Sequence, residues 1–182
     1  MVYISMLRGV NVGGHNRIKM DDLRALYESL KLEDPRTFIQ SGNVIFRTKE
    51  KNAAVLAAKI RKAIEKTFGC SPAVVLRTTA EMKKAIAANP FAARRDIEPA
   101  KLHITFLAAE PACDPQAVLA TFKSYPEELH LKGRELYIYF PNGAGKSKLP
   151  WSQVEKLFKV TGTARNWNSV VKMLAIAEEM EA

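Results

Sequence analysis

The chain has 182 residues, 47% of them hydrophobic, with 28 Lys and Arg against 19 Asp and Glu. That is long and apolar enough for one large or two small domains, and it excludes disorder as the default. No apolar run approaches the ~18 residues of a membrane helix, and Arg8 and Gly9 interrupt the stretch a signal peptide would extend, so the sequence reads as a cytoplasmic protein without membrane contact.

Residues 2–8, VYISMLR, form an apolar β-prone run, followed by a Gly/Asn-rich loop from Gly9 to Asn16. Met20, Leu23, Leu26, Tyr27 and Leu30 then recur at helical spacing, up to a stop expected at Asp34-Pro35. RTFIQS and NVIFRT are strand-like runs meeting at Ser41-Gly42-Asn43, a short hairpin turn. Leu56, Ile60, Ile64 and Phe68 mark a second helix closed by Gly69, and Ala73 to Arg77 a fourth strand. The order β-α-β-β-α-β is the ferredoxin-like motif.

Thr78 and Glu81 fit a capping box, which predicts a third helix running to Asn89, where Pro90 ends it. Beyond the Pro90–Pro99 connection, KLHITFL is a strand in which Leu102, Ile104 and Phe106 alternate with His103 and Thr105. Asp114-Pro115 offers a cap with proline at the first helical position, and Val118, Leu119 and Phe122 point inward. EELHLK and ELYIYF flank Gly133 as a hairpin, and Trp151, Val154, Leu157 and Phe158 give a further helix. A last helix from about Asn166 to Met180 stands in place of a final strand. The predicted fold is therefore α+β: two consecutive ferredoxin-like (βαββαβ-type) subdomains, the second ending in helices. The boundaries are 1–78 for the first half, 79–100 for a linking helix and connection, and 101–182 for the second half.

Three motifs, LRGVNVGGHNRIKM (7–20), FIQSGNVIF (38–46) and SKLP with TARNWNSVVKML (147–150 and 163–174), resemble those of a bacterial family of uncharacterised proteins, domain of unknown function 1697. The resemblance spans nearly the whole chain and implies a two-subdomain α+β fold. It supplies no activity and no catalytic residues. Its motif positions fall on Arg8, Gly9, Asn11, Gly13, Gly14, Gln40, Ser41, Gly42, Asn43, Arg165, Asn166, Trp167 and Asn168.

In a ferredoxin-like unit the first two strands run parallel with the third between them. The loop leaving strand one and the turn joining strands two and three must then share an edge of the sheet. Arg8, Asn11, Gly13, Gly14, His15, Asn16 and Arg17 should face Gln40, Ser41 and Asn43. Glycines allow close backbone approach to an anion at a helix N-terminus, and Arg8, Arg17 and Lys19 supply countercharge. Asp21 and Asp22 oppose this by already complementing the helix dipole. The plain alternative is turn chemistry. His15 and Ser41 would be an acid–base and nucleophile pair only with a third group, and none is evident. Arg165 and Asn168 join the candidate site if their segment reaches this edge; otherwise Asn166 or Asn168 caps the last helix and Trp167 is a buried anchor.

Charge sharpens the choice of partner. Residues 1–95 carry 18 basic and 8 acidic side chains and residues 96–182 carry 10 and 11, which favours an anionic partner for the first half, with solubility as the alternative. The leading reading is an anionic or phosphorylated small molecule at the loop edge. The second is a nucleic-acid-binding module using the basic half; in the second half Tyr137 and Tyr139 would form a stacking pair or else pack under a helix or against the first half. The third is a protein-interaction domain. Gly145-Lys146-Ser147 lacks the upstream glycine of a phosphate-binding loop, since Phe140 occupies that place. Cys70 and Cys113 are isolated and read as small buried side chains, and His15, His103 and His130 share no ligand spacing, so neither metal nor cofactor is expected.

Overall fold

The run Val2–Leu7 becomes β1, and every residue in it is buried, so this strand carries core on both faces. The computed structural model describes residues 1–182 and divides by internal contacts into two units, Met1–Lys84 with Lys172–Ala182, and Ala85–Val171. The segment Lys172–Ala182 is thus grouped with the first half.

In the first unit β1 is followed by α1 (Met20–Ser29), β2 (Glu33–Phe38), β3 (Asn43–Arg47), α2 (Ala53–Phe68), β4 (Val74–Thr78) and α3 (Thr79–Ala87). The sheet order is β2-β3-β1-β4 with every neighbouring pair antiparallel, so β1 and β2 are parallel, the ferredoxin-like arrangement. Tyr3, Leu7, Val44 and Phe46 on one face of this sheet pack against Leu23, Leu26 and Tyr27 of α1 and Leu56, Ile60 and Ile64 of α2. Burial of these apolar side chains is the main favourable term, roughly 1.5–3 kcal/mol each. The buried Tyr27 hydroxyl is matched by the Ser5 hydroxyl at 2.8 Å, and burial raises its pKa.

Local chemistry sets the helix ends. The Asn52 side chain accepts the N–H groups of Ala54 and Val55, and Gly69 closes α2 at φ 70°. The capping box forms: Thr78 N–H donates to Glu81 Oε2 at 2.8 Å and Glu81 N–H to Thr78 Oγ1 at 3.2 Å. One expectation is corrected here. Asp34-Pro35 does not stop the helix; α1 has already ended at Leu30, with Lys31 at φ 60°, and Asp34 and Pro35 form a bulge inside β2. Proline is tolerated there because a bulge at a sheet edge needs no ladder donor.

The second unit repeats the order with β5 (Leu102–Leu107), α4 (Pro115–Ala120), β6 (Glu128–Lys132), β7 (Glu135–Tyr139), α5 (Trp151–Phe158) and β8 (Gly162–Asn166); α6 (Trp167–Glu181) follows, its residues from Lys172 onward grouped with the first unit. Its sheet order, β6-β7-β5-β8, is that of the first. The missing final strand is a second correction: β8 exists, pairing from His103↔Asn166 to Leu107↔Gly162. Its sequence GTARN has no apolar alternation, so pairing with β5 rather than pattern makes it a strand. Gly162 is required at its start, where a Cβ would lie 2.8 Å from both Leu107 Cδ2 and Thr105 Cγ2.

Val118, Phe122, Leu136, Ile138, Val154 and Phe158 form the core of this half. Within the first unit, the end of α6 is tied down by Arg47, whose Nε donates to the Met180 carbonyl at 2.9 Å, and by the Lys83–Glu178 ion pair at 3.0 Å. Cys70 and Cys113 are free and half-buried rather than buried. No helix is long and apolar enough to cross a membrane.

Candidate functional site

In the first unit the strand order brings the two polar segments together. Leu7 N–H, at the end of β1, donates to Gly42 O at 2.9 Å, and Asn11 Nδ2 donates to Gln40 O at 2.8 Å, so the Arg8–Asn16 loop and the β2–β3 turn meet at one sheet edge. Asn11 is the brace. Its Nδ2 also donates to Ile18 O at 2.9 Å, and its Oδ1 accepts from Ile18 N–H at 2.9 Å. One amide therefore holds both ends of the loop and the turn opposite.

The backbone needed for this is unusual. Gly9, Asn11, Gly13, Gly14 and Asn16 all have φ between 49° and 80°, as do Ile39 and Gly42 in the facing turn. Left-handed backbone is routine for glycine and tolerated by asparagine, but it costs a β-branched residue such as Ile39 of order 1–3 kcal/mol. At Gly42 a side chain is excluded by space as well, because a Cβ would sit 3.0 Å from Leu7 Cβ and 3.2 Å from Val10 Cβ. Asn43 is buried, and its Nδ2 donates to Phe38 O at 3.1 Å. It therefore shapes the turn from inside.

Beside this brace lies an open depression of about 640 Å³ lined by Asn11, Gly14, Arg17, Ile18, Lys19, Asp22, Gln40 and Phe68. Arg17 and Lys19 are exposed, and α1 begins there with no side-chain cap on Lys19. Uncapped N–H groups and two cations favour negative charge; Asp22 opposes it. Phe68 was missed by sequence reasoning because the last residue of an amphipathic helix reads simply as core.

The other predicted site residues do not line this depression. Gly13, His15 and Asn16 lie on the exposed loop, with Asn16 Nδ2 donating to Gly9 O at 3.1 Å. His15 makes a backbone bond to Val12, and no hydrogen bond joins its side chain to Ser41, so the acid–base pair does not form. Arg8 and Ser41 are half-buried, and Arg8 N–H is bonded to Ala73 O at 3.0 Å.

Arg165 and Asn168 belong to the second unit. Arg165 is buried, donating through Nη1 to Thr163 Oγ1 at 2.7 Å and Ala164 O at 2.8 Å, and burial pulls its pKa down to about 10. Its counterpart in the first unit is Arg77: each lies on the fourth strand opposite an isoleucine of the first, Ile104 and Ile4, and each donates to the carbonyl before it. This recurrence marks a position of the fold. Asn166 Oδ1 accepts the Asn168 N–H at 3.0 Å, which makes Asn166 the cap of α6, and Trp167 is half-buried. Tyr137 and Tyr139 are buried, with hydroxyls donating to Ala85 O at 2.5 Å and Asp96 O at 3.3 Å, so they present no stacking face.

Two ferredoxin-like units in tandem, the first with a braced Gly/Asn loop at one edge, define an α+β protein of repeated topology. Residues 1–137 match the model of the family described as protein of unknown function (DUF1697), and the chain belongs to that family. A conserved bacterial protein from Streptococcus pneumoniae is similar in structure, at 24% identity and a TM-score of 0.67 over 97% of this chain and 98% of that one, a likeness of fold. No curated protein matches the chain.

Proposed function

We propose that the depression at the first-half loop edge binds a small anionic, phosphorylated molecule. The observation that carries this reading is the company of Arg17 and Lys19 with the uncapped start of α1, around a loop that Asn11 holds in shape before any ligand arrives. Preorganisation of this kind lowers the ordering cost of binding. Ile18 and Phe68 offer apolar wall to the body of such a ligand, and Asp22 an acceptor for a hydroxyl or amine on it.

Thermal melting with a panel of phosphorylated metabolites tests this. The wild type should gain melting temperature from at least one of them, and the Arg17→Ala, Lys19→Ala double variant should lose that gain while melting normally without ligand. A wild type unmoved by the whole panel sinks the reading. Arg165 is left out of the site because it is buried and committed within its own sheet.

A further inference from the structure

The four edge strands of the two sheets are unequally protected. β4 and β8 are buried along most of their length. β2 carries the Asp34-Pro35 bulge, with Asp34 paired to Arg36 at 2.9 Å, devices that blunt an edge. β6 has neither bulge nor proline. Its register against β7 runs without a shift from Glu128↔Tyr139 to Lys132↔Glu135, and a cleft of about 670 Å³ lies along it, shared with α4.

The turn at Gly133-Arg134 decides which backbone groups of β6 are free. Gly133 has φ 59°, as the first position of a two-residue hairpin of this hand requires, so Lys132 and Glu135 close it as a hydrogen-bonded pair. By alternation His130 and Glu128 also bond to β7. Leu129 and Leu131 therefore turn N–H and C=O to the open edge, and no turn or loop backbone bonds to them.

From this edge we infer that β6 is a self-docking strand: two copies of the chain pair antiparallel about a two-fold axis at His130, joining their second sheets into one. Reversed against itself, Glu128-Leu129-His130-Leu131-Lys132 is self-complementary in charge. Glu128 of each copy faces Lys132 of the other at both ends, and Leu129 faces Leu131. The same register makes Leu129 and Leu131 hydrogen-bonded partners, which uses the groups that are free. A register moved by two residues keeps that parity but breaks the Glu128–Lys132 pairs: one shift sets Glu128 opposite His130, and the other sets it opposite Arg134, which lies in the hairpin turn outside the strand. Glu128 is steadied by Arg94 at 2.6 Å, whereas Lys132 has no ion pair within the chain. The half-buried Leu129 and Leu131 would each gain an apolar neighbour across the new strand pair.

A contact of one short strand per copy is small, so association is expected between about 1 μM and 1 mM. Sedimentation of the full chain across that range should show a concentration-dependent dimer. Lys132→Glu sets like charges at both ends and should weaken it about tenfold or more, with unchanged thermal melting. Glu128→Lys should do the same but also removes the Arg94 partner, so mixing is decisive. Equimolar Glu128→Lys and Lys132→Glu chains oppose unlike charges at both ends and should form a mixed dimer tighter than either variant forms alone. A monomer throughout, a dimer indifferent to Lys132→Glu, or a mixture no tighter than its components would overturn the inference.

Discussion

The loop between β1 and α1 and the loop between β5 and α4 do the same topological task with different chemistry. The second is plain: no residue from Ala108 to Asp114 has positive φ, and Asp114 caps α4 by accepting the Gln116 N–H at 3.0 Å. The first bends through five left-handed residues, is cross-braced by Asn11, and leads into a helix without a side-chain cap. The facing hairpins differ in the same way, a two-residue turn at Gly133-Arg134 against Ile39–Gly42 with its strained isoleucine. The fold can close this edge without strain, so topology alone does not demand the left-handed backbone of the first-half loop. That contrast supports a ligand there.

The two loops should differ most when the brace is removed. Asn11→Ala loses three side-chain bonds and places alanine at φ 56°, so urea denaturation should show a loss of about 2–4 kcal/mol, against about 1 kcal/mol for Asp114→Ala in the plain loop. Equal losses would make the two loops equivalent. Gly42→Ala should likewise cost about 2–4 kcal/mol, because strain and the contact with Leu7 add. Gly133→Ala, whose nearest atom would be 3.7 Å away, should cost about 1 kcal/mol from backbone strain alone.

A subtler difference lies inside the sheets. Where β1 has Tyr3, opposite Phe46 and Thr78, β5 has His103, opposite Ile138 and Asn166. Burial lowers the His103 pKa and outweighs the Lys101 backbone, which acts the other way. The unfolded chain then takes up a proton near pH 6.5 while the folded chain still refuses it, so stability holds above about pH 6.5 and falls as pH drops below it. Denaturation curves for wild type and His103→Gln should diverge in that acid range, with the variant showing the flatter dependence. The smallest effect is expected from Arg17→Ala, whose stability should stay within about 0.5 kcal/mol of wild type, since its side chain is exposed.

Much of the fold was legible because its strands and helices keep strict periods, and because Gly69, Thr78 with Glu81, and Asp114-Pro115 mark helix ends by local chemistry. β8 was not, since Gly162 to Asn166 is polar and earns its strand only from β5. The bulge at Asp34-Pro35 escaped for a related reason: a proline after a helical run looks like a stop, and only the partner strand shows it to be an edge. At the site, strand order alone brought Arg8–Asn16 to Gln40–Asn43. Sequence could not say that Asn11 would be the brace among several polar residues, because that depends on which side chain the positive φ turns inward. Nor could it show that Arg165 is buried, since an arginine in a polar run reads as exposed.

The grouping of Lys172–Ala182 with the first unit sets an order of events during synthesis. A nascent chain can form the β1–β4 sheet early, but Arg47, Arg36 and Lys83 meet Met180, Glu179 and Glu178 only after the whole second unit has been made. The first unit is thus begun first and completed last. Until then its β2–β3 side lacks the ties that the end of α6 supplies, so cleavage by protease there should fall only once residues beyond 172 are free to dock.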